Sequence, residues 1–281
     1  MHGFIKFTVL TFIIVLLGLG AAYFIYEKNR PANPALFQYY NATCQALVQN
    51  NETCLRLIEG WNNKEIAKYL AENSSIKAED FLNLTGKDLS QFTSTYDFLA
   101  DKPVTADLEG YLFPDTYRVF KSATTLEIVK KMLDNFNNKL TPALRAEIKN
   151  RQQSIFETIT LASIIEKEVR NPEDMKMVAD IFYKRLSAGI ALQSDATINY
   201  ITGKGLVQPI AKDLAIDSPY NTYKYKGLTP TPIANPGINA ITAAVYPKSN
   251  PYYYFLTAPD GQVIYSKTYA EHIANKKKYL D

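Results

Sequence analysis

The sequence predicts an α+β protein with one apolar helix near its N-terminus, and three observations lead to this prediction. Residues 7–26 carry no charged side chain. Before Leu192, apolar residues recur at helical spacing, as Ile128, Met132 and Phe136 do. After Leu192, Gly and Pro become frequent, tyrosines cluster and short strand-like runs appear. We therefore expect a mixed domain that is helical in its first half and rich in strands and loops in its second half.

The composition and charge place few limits on function. The 281 residues are 47% hydrophobic and 21% charged, which is ordinary for a globular protein. A net charge of +3 is too small to indicate a nucleic-acid partner. The chain has 20 Tyr and 14 Phe but a single Trp. A tyrosine ring with its polar tip suits a sugar ligand and a half-buried strand equally well, so a carbohydrate ligand stays open.

The N-terminal apolar segment, 7–26, is long enough to cross a membrane. As a helix it would rise about 30 Å, which matches the hydrocarbon layer. The alternative is a cleaved signal peptide with a weak cleavage site at Gly18–Gly20, but the apolar core of such a segment usually spans only about 7–15 residues. We expect an uncleaved anchor at 7–26, a cytoplasmic stub at 1–6 and an exported C-terminal part. The flanking charges, Lys6 before and Lys28 after, do not decide the orientation.

Residues 27–53 predict a tether, because Pro and Asn recur in them. Cys44 and Cys54 are the two cysteines of the chain. In an exported domain they could close a small disulfide loop, and two unpaired thiols are an equal alternative. The two Cys and two His are not expected to form a zinc-type cluster, because one of the histidines is His2, beside the start of the chain. A carboxylate-only metal site stays formally open, but nothing marks one, and we expect neither a metal nor a cofactor.

Caps, breakers and periodicity predict the elements before Leu192. A short strand begins near Leu55, and Asn62 or Asn63 can cap the helix that follows it. A second helix stops at Gly86. A loop-strand segment is predicted at 108–120 and a helix at 125–140. A long helix is predicted at 142–189, where it begins after a Thr-Pro pair.

Beyond Leu192 the clearest elements are a hairpin and a last helix. The strand-like runs 252–258 and 261–266 are separated by Pro259–Asp260, which is a turn signal. The final run, 268–280, predicts a helix whose lysines form a solvated face.

Two glutamates, Glu166 and Glu168, lie one residue apart in the predicted long helix. Glu168 follows Ile165 by three positions and Ile164 by four, so its side chain should emerge against apolar neighbours. Glu166 points elsewhere and has Arg170 at i+4, the favourable order for a surface ion pair. On a helical wheel the apolar stripe consists of Leu161, Ala162, Ile165 and Val169, with Ile164 at its edge.

These apolar neighbours predict a raised pKa for Glu168, because burial disfavours the charged form of a carboxyl group. A carboxyl group that keeps its proton at neutral pH can act as a general acid toward a glycosidic oxygen. The alternative is that Glu168 only skirts the stripe and reaches water or a basic partner. Glu168 is therefore the candidate catalytic residue.

Polar loops supply candidate contacts to a polyhydroxyl ligand. Amides, hydroxyls and tyrosines on ordered loops suit such a ligand, although they are equally normal loop residues. The aromatic residues of the 108–120 segment could belong to the core just as well. The candidate binding residues are Gln193, Ser194, Asp195, Tyr200, Asn221, Tyr223 and Asn235, with Glu109 and Tyr111 from the 108–120 segment.

Six runs of the sequence together resemble one family. They are "LRLIEGW", "EGYLFPDTY", "LASIIEKEV", "IFYKRLSAGIALQSDATINYITG", "SPYNTYKYKGLTPTPIANPGINAI" and "YYYFLTA". In this order they resemble the membrane-anchored endolytic murein transglycosylases, the YceG-like proteins. The resemblance implies a YceG-like catalytic domain at 54–281.

The resemblance also implies a reaction in which Glu168, the second glutamate of the "EKE" run, is the catalytic acid. It would protonate the oxygen between N-acetylmuramic acid and N-acetylglucosamine within a nascent peptidoglycan strand. As a base it would then take the proton of the sugar's C6 hydroxyl, which leaves a 1,6-anhydro end. Glycosidases that use two carboxylates work differently. The implied setting is the bacterial cytoplasmic membrane, with a single span, an extracytoplasmic catalytic domain and penicillin-binding proteins as partners in ending strand elongation.

Other functions stay open. A true muramidase would hydrolyse the strand with Glu168 and Asp195, and a membrane-tethered scaffold would bind glycan without cleaving it. A Ser/His/Asp hydrolase that uses His272 is less favoured, because no nucleophile elbow lies nearby. Relatives often carry a LysM-like module between anchor and catalytic region, and the 27–53 tether is too short for one.

Overall fold

The computed structural model describes residues 44, 46–86, 88–205 and 208–280 of the chain. The 7–26 segment and most of the 27–53 tether lie outside these residues, so the anchor and the domain boundaries stay predictions. Among the described residues, no helix is both long and apolar enough to cross a membrane. Cys44 and Cys54 are both disulfide-bonded, which excludes the alternative of free thiols.

The described chain from Val48 onward forms one compact α+β unit, so the predicted fold class is confirmed. The four strands are β1 (Glu52–Arg56), β2 (Thr116–Phe120), β3 (Tyr254–Thr257) and β4 (Val263–Ser266). The helices are α1 (Asn63–Asn73), α2 (Ala78–Leu84), α3 (Ser90–Thr93), α4 (Thr125–Lys139), α5 (Pro142–Asn150), α6 (Ile155–Glu168), α7 (Pro172–Ser187), α8 (Asp195–Thr202), α9 (Ala211–Leu214), α10 (Ile238–Val245) and α11 (Tyr269–Tyr279).

The strands form two separate antiparallel pairs. β1 pairs with β2, which places Leu55 opposite Tyr117. β3 and β4 form the predicted hairpin with Phe255 opposite Tyr265, and its turn contains Gly261 at φ +87°, where glycine is favoured. The described second half nevertheless also holds α8 to α11, so the expectation that it is mainly strands and loops was only partly right.

The predicted N-terminal cap at Asn62 is present, and two other helices have caps of the same kind. Asn62 caps α1, and its side chain and that of Glu65 accept each other's backbone N–H in a capping box. Thr124 and Ser154 cap α4 and α6 in the same way. Each cap satisfies backbone donors that the first helical turn leaves without partners.

The single long helix predicted over 142–189 was wrong, because the chain breaks twice and forms α5, α6 and α7. The second break follows Glu168, where Val169 is extended at φ −143°. Asn171 then caps α7, and Pro172 occupies its first turn. Proline lacks an N–H and disfavours helical geometry in the residue before it, so α6 cannot continue into α7. This break makes Glu168 a helix terminus.

The core centres on α6, which packs against α7 and α10. Every residue of α6 from Thr158 to Ile165 is buried. The hydroxyl of Ser163 donates to the carbonyl of Thr160 and accepts the backbone N–H of Ile233 at 3.0 Å, so its burial is compensated. The stripe seen on the helical wheel therefore does not separate a buried face from an exposed one, because all faces of this helix are covered.

Candidate active site

Glu168 is the last residue of α6, and its side chain leaves the packed core at the helix end. The side chain is half-buried. Glu168 lies beside the N-terminus of α8, where it accepts a hydrogen bond from the hydroxyl of Ser194. The backbone N–H of Ala196 also donates to its carboxyl group. A helix N-terminus favours negative charge, so this arrangement can hold a carboxylate as well as a carboxylic acid.

Ser194, whose hydroxyl contacts Glu168, is held by its backbone against the 218–223 loop. Its backbone N–H donates to Oγ1 of Thr222 at 3.0 Å. Oγ1 of Thr222 also lies 2.9 Å from Oγ1 of Thr197. Gln193, at φ +52°, forms the turn before α8 and donates its N–H to the carbonyl of Thr222. Contacts with Thr222 on the 218–223 loop therefore hold Ser194 at the start of α8.

The electrostatic setting of Glu168 raises its pKa to about 7. Burial is the main cause, and the neighbouring charge of Asp195 adds to it. The hydrogen bonds from Ser194 and Ala196, together with the positive charge of Arg185, oppose the rise. The predicted rise is confirmed, with burial as its largest cause.

Arg185 is a buried cation beside this site that the sequence analysis missed. Its Nη1 donates to the carbonyl of Leu192 at 2.7 Å, and its guanidinium lies 4.9 Å from the ring centre of Tyr254. The residue is only 6% exposed. A signal was available, because Arg185 continues the buried helical positions of Val178 and Phe182 on α7. A charged residue in such a series is unusual unless a partner or a site requires it.

Asp195 and Tyr223 form a second contact at the start of α8. The phenol of Tyr223 donates to Oδ1 of Asp195. Burial raises the pKa of Asp195, and the Tyr223 hydrogen bond opposes this rise. Ser194, Asp195 and Tyr223 thus lie close to Glu168, and Gln193 lies next to Ser194 in the turn before α8. Whether they contact a ligand stays a prediction.

Two further candidates, Asn221 on the 218–223 loop and Tyr200 on α8, make contacts within the protein. Asn221 is fully buried, and its amide donates to the carbonyls of Leu214 and Ile216 at 3.0 and 2.8 Å. The half-buried ring of Tyr200 packs on that of Tyr220, with 5.1 Å between centroids. We assign Asn221 to the framework of the loop, because no part of it is exposed to a ligand.

Glu109 and Asn235 form a buried polar network that ties distant segments together. Oδ1 of Asn235 accepts the backbone N–H groups of Gly110 and Leu112 at 2.9 and 3.0 Å. Its amide nitrogen donates to the Trp61 carbonyl and to Oε1 of Glu109, both at 3.0 Å. Burial raises the pKa of Glu109 well above its ordinary value. Both side chains are almost fully buried, so we correct their assignment from ligand contact to framework.

Tyr111 also belongs to the core. It is fully buried, and its ring packs on Phe98 and Phe136 with centroids 5.9 and 5.2 Å away. Tyr111 of the "EGYLFPDTY" run therefore has a structural role. The alternative stated for these aromatics, that they form core, is the correct one for Tyr111.

The prediction of a surface ion pair between Glu166 and Arg170 was wrong. Glu166 is half-buried, and its Oε2 accepts the backbone N–H of Gly237 at 2.9 Å. Burial, with Glu59 as a second cause, raises the pKa of Glu166 to about 8. Two carboxyl groups with raised pKa values therefore lie in one helical turn. Within the described ranges, no group of three or more His, Cys, Asp or Glu residues is arranged to hold a metal ion.

The match to a family model decides how the chain is classified. The model of the YceG-like family matches residues 37–278. The chain belongs to the YceG-like family. All six runs that carried the resemblance lie within the matched residues.

Relatives with known names and structures support the same grouping. An endolytic murein transglycosylase of Bacillus subtilis is 39% identical over 215 residues, which cover 76% of this YceG-like chain and 59% of the relative. An endolytic murein transglycosylase of Streptococcus pneumoniae is 30% identical over 282 aligned residues, which cover 94% of this chain and 51% of the relative. The crystal structure of a YceG-like protein from Listeria monocytogenes superposes with a TM-score of 0.72 at 34% identity, over 82% of this chain and 77% of that one.

The matches therefore span about half to three fifths of the length of these two curated relatives. Family membership and fold extend over nearly the whole described chain. The activity of the longer relatives is carried to this YceG-like chain only as a proposal.

Proposed function

We propose that this protein is an endolytic lytic transglycosylase that cleaves the β-1,4 bond between N-acetylmuramic acid and N-acetylglucosamine within nascent peptidoglycan strands. The observation that carries the proposal is a half-buried carboxyl group with a pKa of about 7, Glu168, at the end of α6 and against the N-terminus of α8. The names of the relatives supply the substrate class.

The proposed reaction uses Glu168 first as an acid and then as a base. The protonated carboxyl donates its proton to the glycosidic oxygen as the bond from that oxygen to the anomeric carbon breaks. The carboxylate then takes the proton of the C6 hydroxyl on the muramic acid ring, and O6 bonds to the anomeric carbon. The product carries a 1,6-anhydro end, no water is consumed, and Glu168 regains its proton.

The surroundings of Glu168 suit a group that must exist in both forms. A pKa near 7 makes the acid and the carboxylate similarly populated at neutral pH. Donation from Ser194 and from the Ala196 N–H stabilises the carboxylate that forms when the proton leaves. The nearby positive charge of Arg185 acts in the same direction.

A muramidase that hydrolyses the bond is the second candidate, because Asp195 lies close enough to Glu168 to raise its pKa. Asp195 accepts a hydrogen bond from the phenol of Tyr223, and its carboxylate would be the group that activates water. A glycan-binding scaffold without activity is the third candidate. The scaffold would not require a carboxyl group that keeps its proton at neutral pH.

The chemistry of the new ends separates these candidates. We expect purified full-length protein to release muropeptides with 1,6-anhydro ends from peptidoglycan, as measured by liquid chromatography and mass spectrometry. Reducing ends would support the muramidase instead. Intact strands after prolonged incubation would support the scaffold.

The pH dependence of cleavage should follow Glu168. Because the first step needs the protonated acid, kcat should be high at mildly acidic pH and should fall as the pH rises through about 7. Initial rates of strand cleavage between pH 5 and 9 would measure this. A rate that increases through pH 7 would contradict the role of Glu168 as the proton donor.

The cellular setting is part of the same proposal. The apolar 7–26 segment supports a single-pass anchor in the bacterial cytoplasmic membrane with the 54–281 domain on the extracytoplasmic side. Nascent strands are made at that surface, so penicillin-binding proteins are the proposed partners. Protease protection of sealed vesicles, with and without lysis, tests the orientation.

A further inference from the structure

A second pair of carboxyl groups lies where three chain segments meet, close to Glu168. Oε2 of Glu166 accepts the backbone N–H of Gly237, directly before α10. Glu59 lies against the same glycine, because a β-carbon at Gly237 would overlap its carboxyl group and lie 2.9 Å from its Cγ. The φ of Gly237 is −77°, so the backbone itself does not require glycine. The space is needed for Glu59.

Further bonds make these three segments one unit. The N–H of Gly60 donates to the Asn235 carbonyl, and the N–H of Asn235 donates to the Trp61 carbonyl, both at 2.9 Å. Lys167, between the two glutamates of α6, donates from Nζ to the carbonyl of Gly60 at 3.1 Å. The turn at 59–61, the last turn of α6 and the start of α10 are therefore held together around Glu166.

Glu59 lies near enough to Glu166 for its charge to disfavour ionisation of the Glu166 carboxyl group. Burial and the charge of Glu59 raise the pKa of Glu166 to about 8, while Gly237 and Lys167 oppose the rise. No other titratable group faces it from α10, since the sequence of that helix contains none. At neutral pH the raised pKa favours the protonated form of Glu166, which lies beside the exposed residue Glu59.

We propose that Glu59 and Glu166 share one proton beside Gly237 and form a carboxyl clamp that positions Glu168. This role rests on the proposed transglycosylase function. Glu168 follows Glu166 by two residues in the same helical turn, so any shift of that turn moves Glu168 relative to Ser194. A displacement of about 1 Å can cost on the order of 10²-fold in rate. Loss of the shared proton would place two charges side by side and release the clamp.

The test uses Glu166→Gln, because an amide copies the protonated carboxyl. Its oxygen can accept from Gly237 and its NH₂ can donate to Glu59, at every pH. We expect kcat of the full-length variant at pH 7 to stay within about threefold of the wild type. Above pH 8, log kcat of the wild type should fall with a slope of about −2, since Glu166 and Glu168 both lose protons, whereas Glu166→Gln should fall with a slope of about −1. The control Glu173→Gln, at an exposed carboxylate of α7, should keep the wild-type slope.

Two other measurements test whether the clamp exists. Glu166→Leu cannot accept from Gly237 or donate to Glu59, and we expect its kcat to fall on the order of 10²-fold with KM unchanged. In Glu59→Gln, the titration midpoint of the Glu166 carboxyl, followed by ¹³C NMR, should fall by at least about one pH unit. A slope of −2 in Glu166→Gln, or an unchanged midpoint in Glu59→Gln, would overturn the clamp. Absence of cleavage by the wild type would instead refute the proposed function, and the NMR midpoint would still decide whether the proton is shared.

Discussion

Replacing Glu168 with glutamine should lower strand cleavage by at least about 10³-fold and leave the fold intact. The amide has no acidic proton for the glycosidic oxygen and cannot accept one from the C6 hydroxyl, so both proposed steps lose their catalyst. Its oxygen can still accept from Ser194, so the end of α6 should keep its contact with α8. Cleavage is measured by mass spectrometry of released muropeptides, and folding by thermal unfolding.

Glu173→Gln is the matched control, since it makes the same substitution at an exposed carboxylate near the start of α7. It should cleave at the wild-type rate. The Tm of Glu168→Gln at pH 8 should be at least that of the wild type, because the amide removes a half-buried charge. Cleavage by Glu168→Gln within about tenfold of the wild type would remove Glu168 from the mechanism.

Replacing Asn235 with alanine should destabilise the protein by about 3–5 kcal/mol, the largest stability effect that we expect. The side chain accepts from Gly110 and Leu112 and donates to Trp61 and Glu109. Its loss leaves these buried groups without those bonds, and each such group costs about 1–3 kcal/mol unless the chain relaxes or water enters. Since domains are stable by only about 5–15 kcal/mol, this loss should be plain in urea denaturation of the full-length protein.

Asn239→Ala supplies the comparison for this variant. Asn239 is a half-buried asparagine on α10, four residues after Asn235, and we expect its replacement to change the unfolding free energy by less than about 0.5 kcal/mol. An Asn235→Ala protein within 1 kcal/mol of the wild type would contradict the framework role of this network.

Local signals predicted the elements whose stabilising contacts lie within a few residues. The cap at Asn62 and the hairpin around Pro259–Asp260 could be predicted because a cap or a tight turn satisfies its own backbone groups. The break after Glu168 also had a local signal, the Asn171–Pro172 pair, which helical periodicity outweighed in the sequence analysis. That error hid the fact that Glu168 ends a helix.

Contacts between distant parts of the chain decided the surroundings of the polar side chains, which local signals did not predict. Glu166 is bound by Gly237, 71 positions away, and Glu109 by Asn235, 126 positions away. A helical wheel gives the direction of a side chain from its own helix but not what covers it. For the same reason, the sequence did not show that a polar residue predicted to contact a ligand, such as Asn221, instead donates hydrogen bonds to backbone carbonyls of the protein itself.

The sequence by itself determined the fold class, the family resemblance and the choice of Glu168 as the candidate acid. The tertiary structure alone decided why the pKa of Glu168 is raised, that Glu166 is half-buried beside a second carboxyl group, and which polar residues belong to the framework. The physical reason is that a pKa depends on burial and on nearby charges. For Glu168 the nearby charges are those of Arg185 on α7 and Asp195 on α8, which the fold places around the end of α6.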